Sequence, residues 1–417
     1  MSSSASPERI ATLTISLALG RGAAFIIPSY AGEYECRVLE QLERGDRSRR
    51  RARSVVESTE SGPRLREIAT ALFPWREVVV PWMVSRLVSA TLIVATAPTS
   101  RTAAGTGAFS RWDGVWYLLI ARSGYGHPPL GAVQNRWPFF PVLPGVIGAL
   151  RTLDIPARGG IIALNHLAFL LALAGVWRIA RRHTSDDASG LAVWALALFP
   201  TAFVFSMVYP SAIFLATSVW AFVLVEEHHD VLAGMLAATA ALTRPNGFVV
   251  AIALTIGVAA AASRPWWRAA RVGGPAFVAL GLWCALCWHW TGNPIVFFTA
   301  KRGWHEVGLV DFVRHPIRDP NVYLHLALGV AAGVVLLLRR RRLPASWTLF
   351  SGLYLIPSLG LGLVGLGRYT NECFPPFVAA GELLERTRAA TRRRLFLIAV
   401  GLQAAGAWWV LHQAHVP

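Results

Sequence analysis

Asp113 is the one acidic side chain between Ser110 and Pro144, and it stands among Arg111, Trp112, Trp116 and Tyr117. Indole and phenol rings prefer the boundary between lipid and water, so they can hold a carboxylate at a membrane surface. There it can accept a proton or pair with a cation. Phe139, Phe140, Pro141 and Pro144 follow, and prolines in such a run break a helix and favour a kinked re-entry. The stretch reads as an active-site loop. Its bland alternatives are a salt bridge from Asp113 to Arg111 or a helix N-cap, and the residue types leave these readings level.

Four more polar clusters interrupt apolar sequence: Tyr209 with Pro210 and Ser211, TRPNG with Arg244, KRGWHE with Lys301, Arg302, His305 and Glu306, and GRYTNE with Arg368, Tyr369 and Glu372. The His305–Glu306 pair could order a substrate or bind a metal, but a lone pair of this kind on a loop is solvated more often than not, and no metal is assigned. Cys36, Cys284, Cys287 and Cys373 are scattered; the CxxC pair lies inside a hydrophobic segment, the context of packing and not of redox or zinc chemistry.

The elements that position these residues follow from composition. Of 417 residues, 54% are hydrophobic and 15% charged, with mean hydropathy +0.46. So much apolar sequence exceeds what one soluble core hides, and the bilayer is the expected solvent. The net charge of +17 comes in Arg runs between apolar segments, the placement of cytoplasmic loops facing anionic lipid, so nucleic acid is not the expected partner. Residues 1–76 are rich in Ser and Arg and are expected to form a basic cytoplasmic tail without a packed core. Residues 10–28 are mildly apolar, but Arg21 interrupts them and no cleavage site fits, so a cleaved signal peptide is not expected.

A membrane-crossing helix needs roughly 20 apolar residues. That ruler places spans at 77–98, 160–180, 188–206, 209–225, 231–243, 246–263, 273–290, 321–338, 344–366, 374–384 and 395–412, about eleven in all, with the proline-broken segment through Leu153 as a re-entrant or interfacial hairpin. With the N-terminus inside, the runs at 178–182, 264–271 and 339–342 all fall in the cytoplasm; counting the hairpin as a span would put them outside. The expectation is an all-α polytopic membrane protein whose domain occupies residues 77–417. The same topology brings the clusters around Asp113, Tyr209, Arg244, Lys301 and Arg368 to one outer face, where a composite site can form. Arg86, within the first span, is expected to reach the cytoplasmic interface by its long stem. Asn165 and His166, near the outer end of a span, fit an interhelix hydrogen bond as well as substrate contact, and Trp283, Trp288 and Trp290 fit an interfacial belt.

The string RWDGVWYLLIARSGYG with PFFPVLP resembles the signature of the PIG-V-type mannosyltransferases, the GPI mannosyltransferase 2 relatives within the GT-C class, and FPTAFVFSMVYPSAIF, TRPNG, TGNPIVF and GRYTNECFP resemble the later blocks of that family in order. The resemblance covers roughly residues 78–412. It implies a GT-C-like helical bundle, a polyprenyl-phosphate sugar donor, normally carrying mannose, an extracytoplasmic acidic residue at Asp113, and neither a nucleotide sugar nor a soluble catalytic domain. Two departures stand out. The family commonly has a Glu after the FPTA block, where this chain reads Tyr209, Pro210, Ser211; and Leu143 replaces an aromatic. Glu372, Glu306 or Asp311 could supply the missing carboxylate.

A sugar on a lipid phosphate already carries its leaving group. The enzyme must deprotonate an acceptor hydroxyl as C1 gains oxocarbenium character and must steady the departing phosphate. Asp113 suits the first task as general base, with inversion at C1. For the second, guanidinium groups are the natural partners: Arg368 first, since it follows the Gly-rich LGLVGLG, then Arg302, Lys301 and Arg244, with snorkelling to the interface as their bland reading. Arg111, Trp112, Tyr209, His305, Glu306, Tyr369 and Glu372 are the expected substrate contacts. The acceptor is a glycan or glycolipid, and no cofactor is expected. The rival readings are a lipid-linked sugar transporter, which would more often show internal repeats, none of which is visible, and an inactive membrane partner of a glycosyltransferase.

Overall fold

The computed structural model describes residues 74–96, 109–127, 133–261, 266–304, 307–316 and 319–412, all within the compact unit Arg66–Pro417. The expected basic tail before Pro74, and His305 and Glu306, lie outside the described residues. Every described regular element is helical.

In chain order the helices are α1 (Val80–Thr96), α2 (Asp113–Ser123), α3 (Val142–Thr152), α4 (Ala157–Ala180), α5 (Asp186–Ala197), α6 (Ser211–Glu226), α7 (Asp230–Ala241), α8 (Val249–Ala259), α9 (Trp266–Thr291), α10 (Val296–Thr299), α11 (Leu309–Arg314), α12 (Pro320–Arg339), α13 (Ala345–Leu361), α14 (Leu366–Asn371), α15 (Pro375–Glu385) and α16 (Ala389–His412). Each apolar segment found in the sequence corresponds to one of them. Boundaries move where local chemistry intervenes. The segment 188–206 ends its α-helix at Ala197, before Pro200, and resumes as a 3-10 turn over Ala202–Ser206, since proline cannot donate to the helical ladder. The segment 344–366 stops at Leu361, where Gly362 takes a φ of 154°. The proline-broken segment contains α3, whose 11 residues reach about 16 Å, half of the hydrocarbon layer.

Three helices, α4, α9 and α12, are long and apolar enough to cross a membrane on length and composition. The remainder are shorter or, like α16, carry several arginines. Both α9 and α12 leave apolar flanks bare: Phe277, Val278, Leu282 and Leu286 on one, Val330, Val334, Leu337 and Leu338 on the other. Such continuous exposed hydrocarbon is costly in water and is what a lipid-facing helix presents.

The core runs along α4 and α6, where Phe169 stacks on Phe205 and Phe214 on Tyr354 of α13. Close helix contacts use small residues: a Cβ on Gly381 of α15 would stand 2.2 Å from the Ala188 carbonyl oxygen of α5. Trp283, read as interfacial, is instead buried with Trp137, Phe140, Cys287 and Val296, while Trp288 and Trp290 are exposed. Arg86 does not reach an interface either. It is buried, donates to Ser206 Oγ at 2.6 Å, Ser85 Oγ at 2.9 Å and the Ala202 carbonyl at 2.8 Å, and lies over the Phe169 ring. The nearby 3-10 turn supplies two of its three acceptors.

The charged ends of the helices sort themselves. At the C-terminal ends of α4 and α6, Arg178 pairs with Glu227 at 2.6 Å, Arg182 with Glu226 and Glu227, and His183 with Glu226; at the N-terminus of α7, Asp230 pairs with Arg268 of α9. Tyr209 and Ser211 stand at the other end of α6, and Arg244 just beyond the other end of α7. Sixteen residues of α6 span about 24 Å, so the ionic cluster and the Tyr209 cluster occupy opposite ends of the same helix.

Candidate active site

Asp113 is the first residue of α2, where the unpaired backbone N–H groups of a helix N-terminus favour a carboxylate. Trp112 before it has a φ of 53°, a left-handed conformation costing an indole-bearing residue on the order of 1–3 kcal/mol, which persists only where surroundings impose it. They do so here: the Val208 N–H donates to the Phe109 carbonyl at 2.8 Å, tying the start of the loop to the segment that carries Tyr209. Asn165 of α4 fixes that segment in turn, donating from Nδ2 to the Met207 carbonyl at 2.6 Å and the Tyr209 carbonyl at 3.0 Å. Of the two readings Asn165 allowed, the structure takes the structural one.

The Asp113 carboxylate meets Arg368. Nη1 of Arg368 donates to Oδ2 at 2.6 Å, and the two side chains keep 22% and 26% of their surface exposed, Arg368 and Asp113 respectively. The guanidinium carbon lies 5.1 Å from the centre of the Tyr209 ring and 5.3 Å from that of Tyr369, within reach of cation–π attraction. Its Nε is buried with no hydrogen-bond partner among the described residues, so one donor of the fork is unspent. Tyr117, one helical turn on from Asp113, is buried beneath.

A second ion pair lies beside the first. Arg244, from the turn between α7 and α8, donates to both carboxylate oxygens of Glu372; the Tyr354 hydroxyl donates to Glu372 Oε2 at 2.6 Å and accepts from Arg244 Nη1 at 2.8 Å. Glu372 is fully buried and Arg244 nearly so. Both were expected to face substrate, Glu372 as a candidate for the missing carboxylate and Arg244 as a phosphate ligand. Their charged groups are instead spent on each other, as burial of two opposite charges demands. No sequence motif singles out Tyr354. The signal for it was faint: a tyrosine inside an apolar helix needs a partner for its hydroxyl.

Trp304 brings the turn Ala300–Trp304 to the border of the site through aromatic contact. Trp304 packs edge-on against Trp116 of α2 at 5.4 Å and against Phe139 at 5.3 Å. A Cβ on Gly303 would stand 2.2 Å from the Val133 carbonyl oxygen, so the backbones of the two loops touch and glycine is required there. Lys301 is half-buried and Arg302 exposed on this 3-10 turn; the described ion pairs of Asp113 and Glu372 are made by Arg368 and Arg244. Asp311 is exposed on α11, and Arg111 flanks Asp113 in sequence, half-buried. The PFFP block joins as well, through the Val142 N–H donating to the Leu242 carbonyl beside TRPNG at 3.2 Å.

No family model matches the chain, and no curated protein matches it. Among solved structures it is similar to the oligosaccharyltransferase of Archaeoglobus fulgidus: in the apo form at 11% identity, TM-score 0.44, covering 80% of this chain and 56% of that one; in its complex with zinc and sulfate at 13% identity and TM-score 0.45, covering 81% and 53%; and in its complex with an inhibitory peptide and a dolichol-phosphate at 12% identity and TM-score 0.40, covering 81% and 55%. The chain thus spans somewhat over half the length of these structures. Scores of this size leave the chemistry of the site to its own residues.

Proposed function

We propose that this chain is an integral-membrane glycosyltransferase of the GT-C class that transfers a sugar, most simply mannose, from a polyprenyl phosphate to a hydroxyl of a glycan or glycolipid on the outer face of the membrane. The observation that carries this reading is the half-open Asp113–Arg368 pair. It joins a carboxylate at a helix N-terminus to a guanidinium that keeps about a fifth of its side chain open, at a site bordered by aromatic rings, in a chain whose apolar helices suit a lipid substrate.

A contact of 2.6 Å leaves no room for a sugar. Donor binding therefore has to exchange the carboxylate for phosphate at Arg368, a trade of one charge-assisted hydrogen bond for others of similar strength. Asp113, released, is free to take the proton of the acceptor hydroxyl. As the acceptor oxygen bonds to C1 from one face, the bond from C1 to the phosphate oxygen breaks on the other, with inversion. The proton ends on Asp113 and the electron pair on the polyprenyl phosphate, whose charge Arg368 holds. Tyr209 and Tyr369 flank Arg368, and Trp112 and Arg111 border the base. The test is transfer by the purified protein from a synthetic polyprenyl-phosphate mannose to a panel of glycan and glycolipid acceptors. Activity with a nucleotide sugar alone would contradict this reading.

A further inference from the structure

Arg368 stands on α14, a helix of only six residues, too short to be stable by itself. Its placement must come from its ends. Near its start, the Thr201 hydroxyl donates to the Gly367 carbonyl at 2.9 Å. At its finish, Glu372 is the helix C-cap, with its backbone N–H returned to the Arg368 carbonyl at 3.2 Å, and its carboxylate is clamped by Arg244 from one neighbouring segment and Tyr354 from another. Between the two cations lies Tyr369, its ring centre 5.3 Å from the Arg368 guanidinium and 5.7 Å from that of Arg244, with Tyr354 set edge-on to it at 6.2 Å.

Buried ion pairs are poor sources of stability, because desolvation cancels most of their attraction and a hydrocarbon pair of equal volume often does as well. What such a pair supplies is a fixed position and a fixed charge. From this geometry we infer that Glu372 is a positioning residue: held by Arg244 and Tyr354, it sets the direction in which Arg368 meets the donor phosphate, and it touches neither donor nor acceptor. The inference rests on Arg368 being the phosphate ligand.

The test is a double-mutant cycle on the full chain in detergent micelles, read as binding of a short-chain polyprenyl phosphate with no sugar and no transfer step. Glu372→Gln should weaken binding about tenfold, the size of one lost contact to a charged group, and Tyr354→Phe, which removes one hydroxyl and is the gentler change, a few fold. Arg368→Lys should weaken the wild type clearly, cost least in Glu372→Gln and an intermediate factor in Tyr354→Phe, because a misdirected guanidinium has less left to lose. If Arg368→Lys costs the same factor in all three backgrounds, Glu372 is structural and the proposal falls. It falls equally if Glu372→Gln and Tyr354→Phe both bind like wild type. A wild-type protein that does not bind the phosphate would instead overturn the reading of Arg368, and this inference with it.

Discussion

Asp113 and Arg368 lie 255 positions apart in the chain and meet at 2.6 Å, each with about a quarter of its side chain still open. About three quarters of each side chain is buried, and the remaining quarter faces outward. The interest of the pair is that both partners can be claimed by a ligand.

Asp113→Asn keeps the size of the side chain and its contact with Arg368 but cannot take a proton. Turnover should fall about 10²- to 10⁴-fold, the usual loss when a general base is removed, while binding of the lipid phosphate persists. Steady-state transfer at equal expression measures it. A near wild-type rate would refute the assignment of Asp113.

Arg368→Ala should weaken use of the lipid-phosphate donor, and Arg368→Lys should restore only part of it, since a point charge cannot reproduce a planar fork. Donor titration at saturating acceptor gives the comparison. Unchanged kinetics in both variants would return Arg368 to a purely structural role.

Cysteine accessibility should place the 99–137 loop, residues 291–320 and the C-terminus outside, and Arg339 to Arg342 inside. One orientation satisfies the charge bias at every dense Arg run. A cytoplasmic 99–137 loop would invert the scheme.

Arg86 offers a contrast, because its three hydrogen bonds go to the turn at Ala202–Ser206 and to Ser85 and not to the site. Arg86→Leu strands those acceptors and should cost about 2–3 kcal/mol of stability, seen as a lower thermal midpoint, with turnover unchanged at temperatures where both proteins are folded.

Much of this was legible in the sequence, for physical reasons that differ by level. Hydropathy located α4 within a few residues, 160–180 against Ala157–Ala180, because apolar length is what the bilayer selects. It missed the first turns of α9, where Trp266 and Trp267 precede Arg268, since that segment is held by the pair with Asp230 and not by hydrocarbon. Motif residues Asp113 and Arg368 were legible as candidates, but their contact was not, because spacing in a helical bundle says nothing about which ends meet. Arg244 and Glu372 show the limit most clearly. Each alone looks like a charge waiting for substrate, and only the fold reveals that they neutralise one another.

The short helix α7 has a consequence of its own. It carries the Asp230–Arg268 pair at one tip and Arg244 just past the other, and twelve residues reach only about 18 Å, against a film of hydrocarbon about 30 Å thick. On the proposed reading, with one tip of α7 at the water, the other would stop partway through the film, and the reactive groups would lie below its surface, where lipid would have to thin or part to admit a prenyl tail from the side. Turnover in vesicles should accordingly depend on acyl-chain length, rising in thinner bilayers as the mismatch is relieved.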